Sequence, residues 1–213
     1  MIDTSLDLKE KLMSVDKRNY VLVLDRSGSM SSSVKPNSKK TRWEAVQETT
    51  FALAKFCEKF DSDGIDIYLF NTSFRLFANT TADKVKEIFD NSSPNGGTDF
   101  IPVLTYVIES HFKTSDKPTT IFVITDGCPS DGKDGENALA ELLINTANKL
   151  ENDNDLAISF LQIGNDFEAS HFLKNLDDNL QNYGAKFDIV DTKTFDEIAD
   201  KELVDILLDA IKD

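Results

Sequence analysis

The chain alternates short runs that are apolar at nearly every position with longer stretches in which apolar residues return every three or four. Tyr20–Leu24 and Thr119–Thr125 are of the first kind, the pattern of strands buried on both faces. The segment from about Thr41 to Phe60 is of the second kind. Val46, Thr50, Leu53, Ala54, Cys57 and Phe60 recur at helical spacing and predict a helix. Ile65–Phe70 and Ser73–Ala78 are separated only by Asn71-Thr72, which predicts an antiparallel hairpin. A helix is expected from about Ala82, after the start signal at Thr80-Thr81, carrying Val85, Ile88 and Phe89. The loop Ser93-Pro94-Asn95-Gly96-Gly97 then leads into a helix from Thr98-Asp99 to about Phe112. Asn137–Leu150, Leu156–Ile163, Phe167–Leu176, Lys186–Val190 and Thr194–Ile211 continue the alternation as helix, strand, helix, strand and helix. Such an order makes an α/β protein whose sheet is mostly parallel and covered by helices on both faces. Residues 1–19 stand apart as a largely polar segment with Leu6, Leu8, Leu12 and Met13, and are expected to form an N-terminal arm on one domain spanning 20–213.

Composition narrows the class. The 213 residues suit a single domain large enough to bury a core without disulfide or metal staples. Lys and Arg number 23 against 38 Asp and Glu, a net charge of −15, so phosphate repulsion argues against nucleic acid and anionic membranes as partners. The two cysteines, Cys57 and Cys128, are too few for a secreted disulfide framework and point to a reducing compartment. Met1-Ile2-Asp3-Thr4-Ser5 lacks the basic and apolar stretches of a secretory leader. The densest apolar runs are too short to span a bilayer. A cytoplasmic protein, monomeric by default, is the expectation.

The residues that carry chemistry sit where strands end. Asp25 closes the first buried strand and begins Asp25-Arg26-Ser27-Gly28-Ser29. A carboxylate at the tip of a central strand is desolvated on one side and needs partners. Ser27 and Ser29, two apart on an extended loop, can turn their hydroxyls to the side of Asp25. Asp126 ends a second buried strand in Thr125-Asp126-Gly127, and Thr98 follows Gly96-Gly97 at the start of a helix. Asp25, Ser27, Ser29, Thr98 and Asp126 thus bring hard oxygen donors from three loops, with no thiolate or imidazole among them. That chemistry suits Mg2+, with Mn2+ and Ca2+ as the other cations it admits. Two neutral hydroxyls leave a divalent charge under-compensated, so such an ion stays attractive to an external carboxylate.

Asp25-x-Ser27-x-Ser29, Gly96-Gly97-Thr98-Asp99 and Thr125-Asp126-Gly127 resemble the von Willebrand factor type A (vWA) domain with its metal-ion-dependent adhesion site (MIDAS). The resemblance runs over roughly residues 18–213. It implies a doubly wound six-stranded sheet in the order 3-2-1-4-5-6 with one antiparallel edge strand. The first and fourth strands are then neighbours at the switch point, where open α/β sheets bind ligands. It also implies that Ser27 and Ser29 ligate the ion directly. Thr98 and Asp126 exchange direct for water-mediated contact, and Asp25 acts mainly through water. One coordination position remains for a partner's Glu or Asp. The function implied is a metal-dependent protein–protein interaction module, without catalysis, in an intracellular multiprotein assembly.

The alternative from another class is a metal-dependent hydrolase or phosphatase using the same ion. It needs a base or nucleophile nearby. His111 lies about 20 Å from Thr98 if one helix joins them; His171 is expected to be exposed; Cys128 has no histidine partner. Asp99 is expected to cap its helix, and Asp131–Glu136 reads as a turn, because it fails calcium-loop spacing. The sequons at Asn71, Asn79 and Asn91 read as chance, and Trp43 and the phenylalanines as core. Lys35, Lys39, Lys40 and Arg42 form a basic cluster in the loop that follows the first strand. That loop is expected to rim the site, with Lys39, Lys40 or Arg42 meeting the flanks of an acidic partner.

Overall fold

The computed structural model describes residues 18–58 and 64–198. Six strands form one sheet in the order β3-β2-β1-β4-β5-β6: β1 Asn19–Asp25, β2 Ile65–Phe70, β3 Phe74–Thr80, β4 Thr119–Thr125, β5 Leu156–Gln162 and β6 Val190–Thr194. Only β2 and β3 pair antiparallel, as the short connection through Asn71 requires; every other pairing is parallel. The helices are α1 Arg42–Cys57, α2 Ala82–Asp90, α3 Phe100–Thr114, α4 Lys133–Lys149, α5 Phe167–Asn179 and the single turn α6 Phe195–Ile198.

The period of two along each strand sorts the core into two halves, one on each face of the sheet. Leu22, Leu24, Ile67, Leu69, Phe122 and Ile124 meet α1 and α2 through Trp43, Val46, Leu53, Val85 and Phe89. Val23, Phe70, Ile121, Val123, Ile158 and Phe160 face the other way. They meet α3, α4 and α5 through Phe100, Val103, Leu139, Leu143 and Leu173. Every residue of β4 is buried, the expected environment of a central parallel strand. Phe100, the first residue of α3, packs against Phe70 and Phe160. That packing anchors the helix start next to the Thr98 loop.

The α1 start is specified locally. Thr41 is the N-cap, and Glu44 closes a reciprocal capping box with it, which fixes the direction in which Arg42 leaves the helix. Asp99 likewise caps α3 by accepting from the Ile101 amide, as expected.

Three expectations change. The sixth strand lies at Val190–Thr194, not Lys186–Val190. The alternating apolar residues of Phe187-Asp188-Ile189-Val190 mark the approach to the sheet, and the polar Asp191-Thr192-Lys193-Thr194 makes the strand. An edge strand is held by backbone hydrogen bonds to one neighbour, so it need not be apolar. The phenylalanines are also not uniformly core: Phe51, Phe112 and Phe167 are exposed. The α4 helix begins at Lys133, inside the segment read as a turn. Of the expected arm only Arg18 and Asn19 are described, and Asn19 already belongs to β1. The expected helix positions Phe60 and 199–211 lie outside the described residues. Among the described residues, no helix is long and apolar enough to cross a membrane.

Candidate functional site

The strand order places β1 beside β4, so Asp25 and Asp126 emerge together at the C-terminal edge of the sheet. Here connections leave toward opposite faces, the usual crevice for ligands in open α/β sheets. Asp25 is completely buried. One of its oxygens accepts from the Ser27 amide at 2.7 Å and the other from the Thr125 hydroxyl at 2.7 Å. No cationic side chain among the described residues pairs with it. Burial pushes its pKa up to about 6, against the opposing pull of the Ser27 and Thr125 hydrogen bonds, and nearby Asp126 adds to the rise.

Ser27 has extended backbone, but Ser29 belongs to a 3-10 turn, Gly28–Ser31, and not to an extended loop as the spacing suggested. The turn inserts Met30 fully into the core on the α1 side. With Met30 as the anchor, Ser27 stays buried and Ser29 faces outward, yet their hydroxyl oxygens lie 3.0 Å apart. Ser29 donates to one oxygen of Asp126 at 2.8 Å. A continuous file of oxygens therefore runs Ser27, Ser29, Asp126, with Asp25 beneath it.

The Thr98 loop is tied to this file by backbone bonds. Gly28 donates to the Gly96 carbonyl at 3.0 Å, and Asn95 donates to the Arg26 carbonyl at 2.8 Å. Thr98 is buried, and its amide donates to the Ser130 hydroxyl at 2.7 Å. The Ser130 amide returns a bond to the Thr98 carbonyl at 2.9 Å. The Thr98 hydroxyl has no hydrogen-bond partner among the described residues. All five sequence-predicted residues thus converge on one edge of the sheet.

Two participants were not predicted, and a third takes a role other than the one expected. Ser130 fixes Thr98, and only its place four residues after Asp126 hinted at it. Asn71 is buried in the β2–β3 turn and donates to the Asn95 carbonyl at 2.9 Å, while its own carbonyl accepts from Asp99 at 3.0 Å. Arg42 is the third. It does not face outward with Lys39 and Lys40; it pairs with the Asp126 carboxylate. Lys40 and Lys35 are also engaged within the chain, with Glu48 and Asp196.

The donor set fits a hard divalent cation. A carboxylate held without a cation beneath a row of hydroxyls is the chemistry such an ion satisfies. Among the described residues no three His, Cys, Asp or Glu side chains cluster as a metal site. Any ion here would lean on hydroxyl oxygens beside the carboxylates.

Gly97 offers a test of this geometry. A Cβ there would lie 2.5 Å from Ser130 Oγ. Gly97→Ala is expected to push Ser130 off the Thr98 amide and displace Thr98, lowering metal affinity about tenfold or more while the far-ultraviolet circular dichroism is unchanged. Titration calorimetry checks this; an unaltered affinity would remove Thr98 from the site.

The sequence profile of the von Willebrand factor type A domain matches residues 20–129, just over half of the 213-residue chain. No curated protein sequence matches at a significant level. Several solved structures share the fold. A point mutant of the PilB minor pilin from Streptococcus sanguinis aligns with a TM-score of 0.65 at 14% identity, over 90% of this chain and 61% of that one. A von Willebrand factor type A protein from Catenulispora acidiphila aligns at 0.59 and 16% identity, over 92% and 43%. Proximal thread matrix protein 1 of the mussel byssus, described with a zinc-occupied MIDAS motif, aligns at 0.52 and 19%, over 92% and 45%. The chain spans less than two thirds of the length of each of these structures. With its sheet order and the profile match together, the chain belongs to the von Willebrand factor type A domain family.

Proposed function

We propose that this chain is a divalent-metal-dependent protein-interaction module whose bound ion takes a carboxylate from a partner protein. Domains of this family generally mediate protein–protein interaction. The observation that carries the metal reading is the fully buried, uncompensated Asp25 beneath the Ser27–Ser29–Asp126 file. In this reading Ser27, Ser29, Thr98 and Asp126 would hold the ion, with Asp25 supporting that set. The ion supplies Lewis acidity toward a partner's Glu or Asp. The two serine hydroxyls would leave its charge under-neutralised, which favours an external carboxylate at the site. Mg2+ is the preferred ion for an oxygen-only set, with Mn2+ and Ca2+ as alternatives to compare with Zn2+.

A non-catalytic role is supported by where the other reactive groups lie. His111 bonds to Thr119, the first residue of β4, whereas Asp126 follows its last; a strand of that length separates them by about 20 Å. His171 is exposed on α5. Burial raises the Cys128 thiol to about 11, with Glu136, Asp166 and Glu168 adding to the rise, so it is a poor nucleophile at neutral pH. Both described cysteines are free thiols, which is compatible with a reducing compartment, and we place the protein in the cytoplasm as a monomer within a larger assembly.

The test is retention of a partner from source lysate by immobilised wild-type protein in Mg2+ and in EDTA, with Asp25→Ala beside it. A protein held only by the wild type with Mg2+ is expected. The same set of proteins in every lane would contradict the reading.

A further inference from the structure

We propose that Arg42 is a tethered cation that occupies the Asp126 carboxylate until a divalent ion displaces it. This rests on the metal-centre reading above and adds a regulatory element to it.

Arg42 reaches the site from the first position of α1, held there by the Thr41–Glu44 capping box. Its guanidinium pairs with the Asp126 oxygen that Ser29 leaves free. The Asp126 side chain is only 1% exposed and that of Arg42 17%. Both oxygens of Asp126 are thereby satisfied without any ion. A metal that uses this carboxylate meets a positive charge already bound to it, and Coulomb repulsion sets the two cations in competition.

Several features make the docked arginine ready to leave. Its Nε is buried without a hydrogen-bond partner, so withdrawal toward water restores a bond. A cation at the first turn of a helix is also opposed by the helix dipole. The guanidinium packs against Gly164 in the β5–α5 connection, where a Cβ would come within 2.9 Å of Nε and 3.1 Å of Cζ and one terminal nitrogen. Among the described residues, only the carboxylate hydrogen-bonds it there. Lys35 and Lys40 of the same loop pair with acids outside the site, so the pairing of Arg42 with a candidate ligand is not a general property of the loop. Displaced, the guanidinium would stand at the rim beside the ion, placed to meet the carboxylate that the partner brings.

The test measures Mn2+ binding by titration calorimetry and electron paramagnetic resonance for wild type, Arg42→Met and Arg42→Lys at fixed ionic strength. Arg42→Met is expected to bind Mn2+ about tenfold tighter than wild type, with Arg42→Lys between them. In parallel, the 15Nε–H resonance of Arg42 in wild-type protein is followed through a Mg2+ titration. It is expected to exchange slowly with water without metal and rapidly at saturation. Wild-type metal binding with equal or weaker binding by Arg42→Met would overturn the proposal. So would an Arg42 signal unmoved at saturation, a readout that does not depend on the variant folding. No metal binding by wild type or either variant would instead overturn the metal-centre reading, and this inference with it.

Discussion

Asp25→Asn is expected to make the metal-free protein more stable at neutral pH while abolishing metal binding. Asp25 has a pKa raised from 3.8 to about 6, chiefly by burial. Its favourable contribution is complete below pH 3.8, where the carboxyl is neutral in both states. It is lost as pH rises through about 6, because the folded chain must then ionise a buried group. A rise of this size corresponds to roughly 2–3 kcal/mol by linkage. Asn removes that charge and keeps the contacts. Its carbonyl can accept from the Ser27 amide, and its amide can donate to Thr125, whose hydroxyl can turn to the Gly127 carbonyl 3.4 Å away. Denaturant unfolding at pH 7.5 in EDTA should therefore show the variant ahead of wild type, with the gap closing below pH 4. Adding Mg2+ should raise only the wild type. A variant less stable than wild type at every pH would show that Asp25 is held as a structural acceptor and not as a ligand in waiting.

Asp126→Ala is expected to act with the opposite sign. Asp126 is compensated in the metal-free chain by Arg42 and by Ser29. Removing it leaves the guanidinium in a half-dry bed with Nε already lacking a partner, and leaves Ser29 without its acceptor. Breaking a buried pair from one side typically costs about 3–5 kcal/mol. Because Arg42 can withdraw to solvent, we expect about 2 kcal/mol here, read from chemical unfolding in EDTA. The double variant Arg42→Met/Asp126→Ala should recover most of that loss, since no orphaned charge remains. Two carboxylates of one site thus separate by sign: one strains the empty fold, the other holds it together. If Asp126→Ala were as stable as wild type, the ion pair would contribute nothing net to the fold.

The sheet was legible in the sequence because its central strands are buried and carry dense apolar runs: the strands expected at Tyr20–Leu24 and Thr119–Thr125 fall within one residue of β1 and β4. The edge was not legible for the converse reason. At β6 the backbone pairing to β5 does the work, and Asp191-Thr192-Lys193-Thr194 carries no apolar signal. That Asp25, Ser27, Ser29, Thr98 and Asp126 meet at one edge of the sheet was legible because strand tips and a spaced motif mark them. Ser130 and Asn71 could not, since each acts through contacts across the fold: Ser130 on an amide 32 residues away, and Asn71 on a carbonyl 24 residues away. Arg42 was read from its neighbours in sequence as part of an outward basic cluster. Its partner lies 84 residues on and is reached only because β1 and β4 are adjacent.

The central claim is that a divalent ion occupies the crevice between β1 and β4. A crystal structure grown with millimolar Mn2+ tests it most directly through the anomalous signal. The account predicts one peak within coordination distance of Ser27 Oγ and Ser29 Oγ, beside Asp126, with a coordination position open to solvent. A map with no peak there, and Arg42 still seated on Asp126, would contradict it.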